Sequence, residues 1–431
     1  MKRNFILIFV LLISFFNNTN AQNSSVQKKL KFSFSERIRL TSFDNAISLN
    51  DSSDIYAFSR YKTNVGVKFM PNKNIELNLK LGNQAIIWLS PRSKKNTLSE
   101  IFIDQLYFKW KNIASLPLEI TFGRQNIMLD EGFICFDGQP LTGSRSAYFN
   151  AIKSIYSFNN NNNITAFVSY IPRTDDLLPI INEDNPTQLL EEQANTGIGL
   201  YYKTNFDKLK LSAYYFRKNT FSNDFDSTQT NINTLGTRLF LPIFKNLELT
   251  TETAYQFGNT DEFNINSFGG YFHLDYNIDK KIPLINMLTI GGFYLSGDNP
   301  STDKIEAWNP LWSRWPKWSE SYIFTLIPEN NCKVAYWSNM ASLYAAINAK
   351  LSENISFNAT FNHLLAIEDN LSAFCSGSGK TRGNLLKFKL NYKIDKNWSG
   401  HFIWENFTPG DFYPTTADGY NYFRFCILVR I

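Results

Sequence analysis

Apolar and polar residues alternate one by one along most of this chain, and the last ten residues show the pattern most cleanly. Phe423, Phe425, Ile427, Val429 and Ile431 share one parity; Tyr422, Arg424, Cys426, Leu428 and Arg430 share the other. Period two puts the two sets on opposite faces of an extended strand. The same alternation predicts strands over 31–41, 57–69, 74–83, 101–111, 117–123, 148–158, 163–171, 196–204, 208–217, 234–241, 246–258, 267–278, 286–296, 341–351, 354–364, 385–394, 398–407 and 422–431. The count is eighteen, with sixteen as the alternative.

The connections between these strands come in two lengths, and the lengths alternate. Short turns fall at 71–73, 159–162, 205–207, 242–245, 352–353 and 395–397, with slightly longer ones at 112–116 and 279–285. Long connections run 42–56, 84–100, 124–147, 172–195, 218–233, 259–266, 297–340, 365–384 and 408–421. Alternating short turns and long loops, with one greasy face per strand, predict a single antiparallel transmembrane β-barrel. In such a barrel the last strand pairs with the first, and both termini lie at the short-turn, periplasmic end.

The N-terminus changes the compartment. Lys2 and Arg3 precede an apolar run from Phe5 to Phe16, and Asn20-Ala21-Gln22 supplies a small-residue cleavage site. This predicts a signal peptide over 1–21 and a barrel over 22–431, placed in the bacterial outer membrane after export. Gln22, not a cysteine, directly follows the cleavage site, and no later stretch has the roughly 18 apolar residues of a membrane helix. Aromatics make up 16% of the chain while the mean hydropathy is −0.26, a mixture that suits strands facing lipid on one side and water on the other. A net charge of +5 argues against a nucleic-acid partner.

Chemistry-bearing residues are sparse. The four cysteines, Cys135, Cys332, Cys375 and Cys426, allow a Cys332–Cys375 bridge or free thiols. His273 and His401 have lumen parity and His363 falls at the outer rim, a poor basis for a catalytic triad. No spacing for a metal site, a P-loop or a dinucleotide loop is present, so neither an enzyme nor a cofactor is expected.

The cost of a basic residue in mid-bilayer, roughly 2–4 kcal/mol, assigns the faces. Phe32, Phe34, Ile38 and Leu40 face lipid, leaving Arg37 and Arg39 inside; Glu36 has the lipid parity. The same rule sends Arg60, Lys62, Lys68, Lys80, Lys109, Lys203, Arg238, Lys350, Lys387, Lys389 and Arg424 to the lumen, with the acids Glu76, Glu119, Glu248, Glu252, Asp275 and Glu405. Strand order brings Arg424 beside Arg37 and Arg39, with Lys387 and Lys389 two strands away. A basic wall of this kind favours anions; the alternative is a lumen whose cations pair with its acids.

Three stretches resemble the alginate-export family of outer-membrane porins. They are Gly123-Arg124-Gln125 continuing through Asp137, Gly138 and Arg145 to Phe149; Ser296-Gly297-Asp298 with Trp308-Asn309-Pro310-Leu311-Trp312; and Glu405 to Tyr413. Phe149-Asn150-Ala151-Ile152 departs from the family's usual segment there. The resemblance implies an eighteen-stranded barrel with an arginine-rich conduit for an acidic polysaccharide, and carries Arg124 and Arg145 over as basic pore residues.

The connection 297–340 also carries Trp308, Trp312, Trp315 and Trp318, with Arg314 and Lys317 between them. Rings could stack on sugars and the cations hold carboxylates; an interfacial girdle or packing against neighbouring loops is the other reading. The expected function is a channel for an anionic saccharide or other acidic solute, with membrane lipid around it and a periplasmic export or uptake partner. The alternative is a plugged barrel that binds ligands with its loops.

Overall fold

The computed structural model describes residues 29–45, 49, 55–136, 148–181, 189–278, 284–313, 318–320, 338–369 and 377–431. The expected signal peptide, Arg145, Arg314, Trp315, Lys317, Cys332 and Cys375 lie outside the described residues.

All eighteen expected strands are present. They are β1 (Leu30–Asp44), β2 (Tyr56–Asn72), β3 (Ile75–Ser90), β4 (Thr97–Trp110), β5 (Leu118–Gln125), β6 (Phe149–Ser157), β7 (Asn162–Ile171), β8 (Asn195–Phe206) and β9 (Leu209–Thr220). Then follow β10 (Thr230–Phe244), β11 (Leu247–Thr260), β12 (Asn264–Asn277) and β13 (Ile285–Leu295). A two-residue β14 (Lys304–Ile305) precedes β15 (Met340–Lys350), β16 (Ile355–Leu365), β17 (Thr381–Lys393), β18 (Trp398–Pro409) and β19 (Tyr420–Arg430). The long strands form one closed antiparallel barrel, in which β1 pairs with both β2 and β19. Closure satisfies the backbone groups that a free edge would leave bare in hydrocarbon. β14 adds a parallel pair to the start of β12. Leu30 faces Phe69 and Arg430 faces Ser35, so the first strand's start and the last strand's end share the rim of the short turns.

Several connections expected to be long are shorter because the strands run further: 84–100 is reduced to 91–96, 218–233 to 221–229, and 259–266 most of all. The segment 259–266 is a tight turn of 261–263, because β11 and β12 run on and the Thr260 hydroxyl accepts hydrogen bonds from the Glu262 and Phe263 N–H groups. The faces follow the alternation. Phe32, Leu40, Phe268, Phe272, Phe402, Phe423 and Phe425 are exposed outside, while Arg37, Arg39, Tyr271, His401 and Cys426 are buried inside. Glu36, on the outer parity, accepts a 2.6 Å hydrogen bond from Thr63, the residue opposite it on β2.

The outer face of β16–β19 carries a run of stacked rings. Phe357, Phe388, Trp404 and Phe423 lie 5.7, 5.3 and 6.4 Å apart in succession. Phe388 faces Trp404 and Trp404 faces Phe423 directly across the strands, and such cross-strand aromatic pairs hold the register.

Candidate functional site

The basic residues of β1, β2, β17 and β19 converge on one stretch of inner wall. Arg39 is opposite Arg60 on β2 and opposite Cys426 on β19. Arg424 is opposite Thr41 on one side and Ile403 on the other, and Ile403 is opposite Lys389. Arg37, Arg39, Arg60 and Arg424 lie close enough to repel one another. His401, opposite Cys426, adds a buried imidazole. Of the thirteen basic residues that the alternation assigns to the lumen, Arg37, Arg39, Arg60, Lys389 and Arg424 are therefore gathered here, and Lys387 sits beside them opposite Glu405.

Elsewhere the inward cations have acids at hand. Lys62 and Lys80 share Asp104 at 3.4 and 2.5 Å, Lys68 pairs with Glu76 at 2.9 Å, and Lys109 with Glu119 at 3.0 Å. Lys203 contacts Asp130 at 2.9 Å and Arg238 contacts Glu131 at 2.8 Å. Lys350 lies at the short-turn rim, exposed. Asp104, Asp130 and Glu131 had no place in the sequence reading. Asp104 is the extra residue of a bulge, since Lys80 pairs with Gln105 and Leu81 with Ile103, and the bulge turns it from the lipid parity into the lumen. Asp130 and Glu131 belong to the β5–β6 connection, which folds inward. Burial works to raise the Asp130 pKa, but the hydroxyl of Tyr201 and the ammonium of Lys203 hydrogen-bond its carboxylate and hold it below the usual range.

The described residues of the β13–β15 connection also turn inward, and this decides the fate of Trp308, Trp312 and Trp318. Trp308 is fully buried and stacks on Phe133 at 5.2 Å. Trp312 packs among Phe149, Phe167 and Phe216, and Trp318 stacks on Phe293 of β13 at 3.9 Å. These rings are committed to protein neighbours, which is the packing reading rather than the sugar-stacking one. Backbone contacts fix the path: Lys218 donates to the Leu311 carbonyl, and Gln256 both donates to and accepts from Asn309.

The same connection delivers an acid to the basic wall. Ser319 Oγ donates to Glu405 at 2.5 Å, the Glu320 N–H donates to the other Glu405 oxygen at 2.9 Å, and Lys387 donates to the Trp318 carbonyl. Glu320 then forms an ion pair with Arg424. Burial would raise the Glu320 pKa; the charges of Arg424, Arg39 and Lys389 outweigh it and hold the carboxyl below its ordinary value.

The residues that carry the family resemblance do structural work. Gly123 has φ 120°, and a Cβ there would lie 2.3 Å from the Leu106 carbonyl oxygen, so only glycine fits the bend. β5 pairs with β4 only from Ile120 to Arg124, which leaves the rest of β4 without it as a partner. Arg124 fills that gap: it donates to the Ile103 carbonyl, to Asn150 and to Asp175, all within 3.1 Å, with its guanidinium 4.3 Å over Tyr148. Its side chain and that of Asp175 are fully buried, so Arg124 clamps the wall. Gln125 donates to three carbonyls around the same bend. Ser296 and Asp298 brace Glu306, one through its carbonyl and one through its N–H, at the base of the tryptophan connection. In the third stretch the Asp411 carboxylate accepts from the Thr381 N–H, and Tyr413 receives a hydrogen bond from the buried Arg382.

Solved structures share this architecture. OccK2 of Pseudomonas aeruginosa matches with a TM-score of 0.62 at 9% identity, covering 94% of this chain and 98% of that one. OprD of the same organism matches at 0.55 and 12% identity, over 93% and 95%, and OpdK with vanillate at 0.57 and 8%, over 93% and 98%. At such identities the likeness is one of fold. No curated protein matches the sequence. The family model for alginate export matches residues 54–427, most of the chain, and the protein therefore belongs to the alginate-export family.

Proposed function

We propose that this outer-membrane channel passes anionic solutes, and that its substrates are acidic oligo- or polysaccharides. The observation that carries the reading is the wall of β17–β19, β1 and β2, where Arg37, Arg39, Arg60, Arg424, Lys387 and Lys389 outnumber the acids Glu320 and Glu405 among the described residues. A lumen whose cations exceed its acids lowers the barrier for anions. The channel does no chemistry; flux follows a gradient or is drawn by a periplasmic partner. In this reading residues 1–21 direct export, and the short-turn rim with both termini faces the periplasm.

A second reading has its own support. Phe133, Trp308, Trp312 and Trp318 pack inside the barrel, and connections folded inward to that extent narrow the passage. A loop-filled barrel would bind ligands without conducting. Reversal potentials in planar bilayers under a salt gradient separate the two: an anion-directed potential supports the channel, and absence of current supports the filled barrel.

A further inference from the structure

Glu320 is placed as a substrate would be. Three consecutive residues are held from three sides: Trp318 against Phe293 on β13 with its carbonyl on Lys387, Ser319 on Glu405, and the Glu320 backbone on the same Glu405. What this anchoring turns toward the arginine group is the Glu320 carboxylate. It meets Arg424 in an ion pair, with Arg39 and Lys389 also attracting it. Glu405, the other acid on this wall, is occupied by Ser319 and the Glu320 N–H.

We infer that Glu320 is a tethered carboxylate occupying the channel's anion subsite, and that a carboxylate-bearing sugar must replace it there. The inference rests on the channel reading and names the ligand class of its basic wall. A guanidinium matches a carboxylate through two parallel N–H donors, a geometry in which the carboxylate of a uronic acid is interchangeable with that of glutamate. A ligand carried on the same chain competes intramolecularly, at an effective concentration set by the geometry that holds it. An internal competitor of this kind keeps arginines from holding a passing anion too tightly, since conduction needs entry and release alike.

The test uses the full mature chain in planar bilayers, with glucuronate as the probe that blocks chloride current. Glu320→Gln keeps the side chain's shape and removes its charge, and should lower the half-blocking glucuronate concentration about fivefold or more, the low end of a typical coupling between two ligands. Arg424→Gln should raise it in either background. An unchanged half-blocking concentration in Glu320→Gln, with normal chloride current, would overturn the inference and leave the channel intact. A conductance jump for all ions without a change in glucuronate block would also overturn it, since Glu320 would then only pin a plug. No chloride current from wild type and variant alike would instead sink the channel reading.

Discussion

Two stretches of the inner wall carry comparable numbers of cations and differ in how they are answered. On β2–β5 each lysine has a carboxylate within a few ångströms: Lys62 and Lys80 on Asp104, Lys68 on Glu76, Lys109 on Glu119. On the seam where β19 meets β1, Arg37, Arg39, Arg60, Arg424, Lys387 and Lys389 outnumber Glu320 and Glu405 among the described residues, and Glu320 is delivered by a distant connection. The lesson is that a lumen's charge composition does not give its ion preference. The local balance of cations and acids acts on a passing solute, and at the seam the cations outnumber the acids among the described residues.

The largest effect should come from breaking the matched wall. Asp104→Ala strands Lys62, only 4% exposed, with Lys80 beside it, and loss of one partner of a buried pair costs about 3–5 kcal/mol. The heat-modifiable band should convert to the unfolded position at a clearly lower temperature. Conversion at the wild-type temperature would mean that water reaches Lys62 freely.

Acid should act on the seam instead. Glu320 is held below its ordinary pKa, so its docking on Arg424 contributes fully above the unfolded value of about 4.3 and is lost as pH falls through the folded value. Facing it are Arg37, Arg39, Arg424 and Lys389, together with Glu405, His401 and Cys426. Lowering the pH from 6 to 3 at low salt should raise anion over cation permeability more in wild type than in Glu320→Gln. Equal rises in both would assign the change to the other carboxylates.

The smallest effect belongs to Lys68→Gln. Its pair with Glu76 is one-third exposed on the lysine side, and exposed pairs contribute about 1 kcal/mol or less. Stability measured in denaturant should barely move, and anion preference should stay as it was.

The fold was legible in the sequence because one rule, alternation with a lipid-facing penalty, applies to every strand. Phe423, Phe425 and Ile427 announce their face without reference to any other residue. The seam's cations were legible for the same reason, through the pairing of the last strand with the first. What stayed hidden depends on breaks in the period or on distance. Asp104 reaches the lumen through a bulge that shifts parity, and no composition rule marks that residue. Asp175 finds Arg124 across 51 positions, and Glu320 finds Arg424 across 104. Trp308, Trp312 and Trp318 read as sugar platforms or, more readily, as a girdle or packing until their neighbours Phe133, Phe167 and Phe293 are in place.

The most direct test of the seam's excess of cations is a paired neutralisation. One variant replaces Arg37, Arg39, Lys387, Lys389 and Arg424 with glutamine; the other does the same to Lys62, Lys68, Lys80, Lys109 and Lys203. Reversal potentials are read at about 0.01 M salt, where screening extends to about 30 Å, and again at 1 M, where it shrinks to about 3 Å. The seam variant should lose several-fold in anion over cation permeability at low salt, with the difference fading at high salt, while the wall variant should lose much less. Equal losses from the two variants, or a loss confined to the wall variant, would contradict the account.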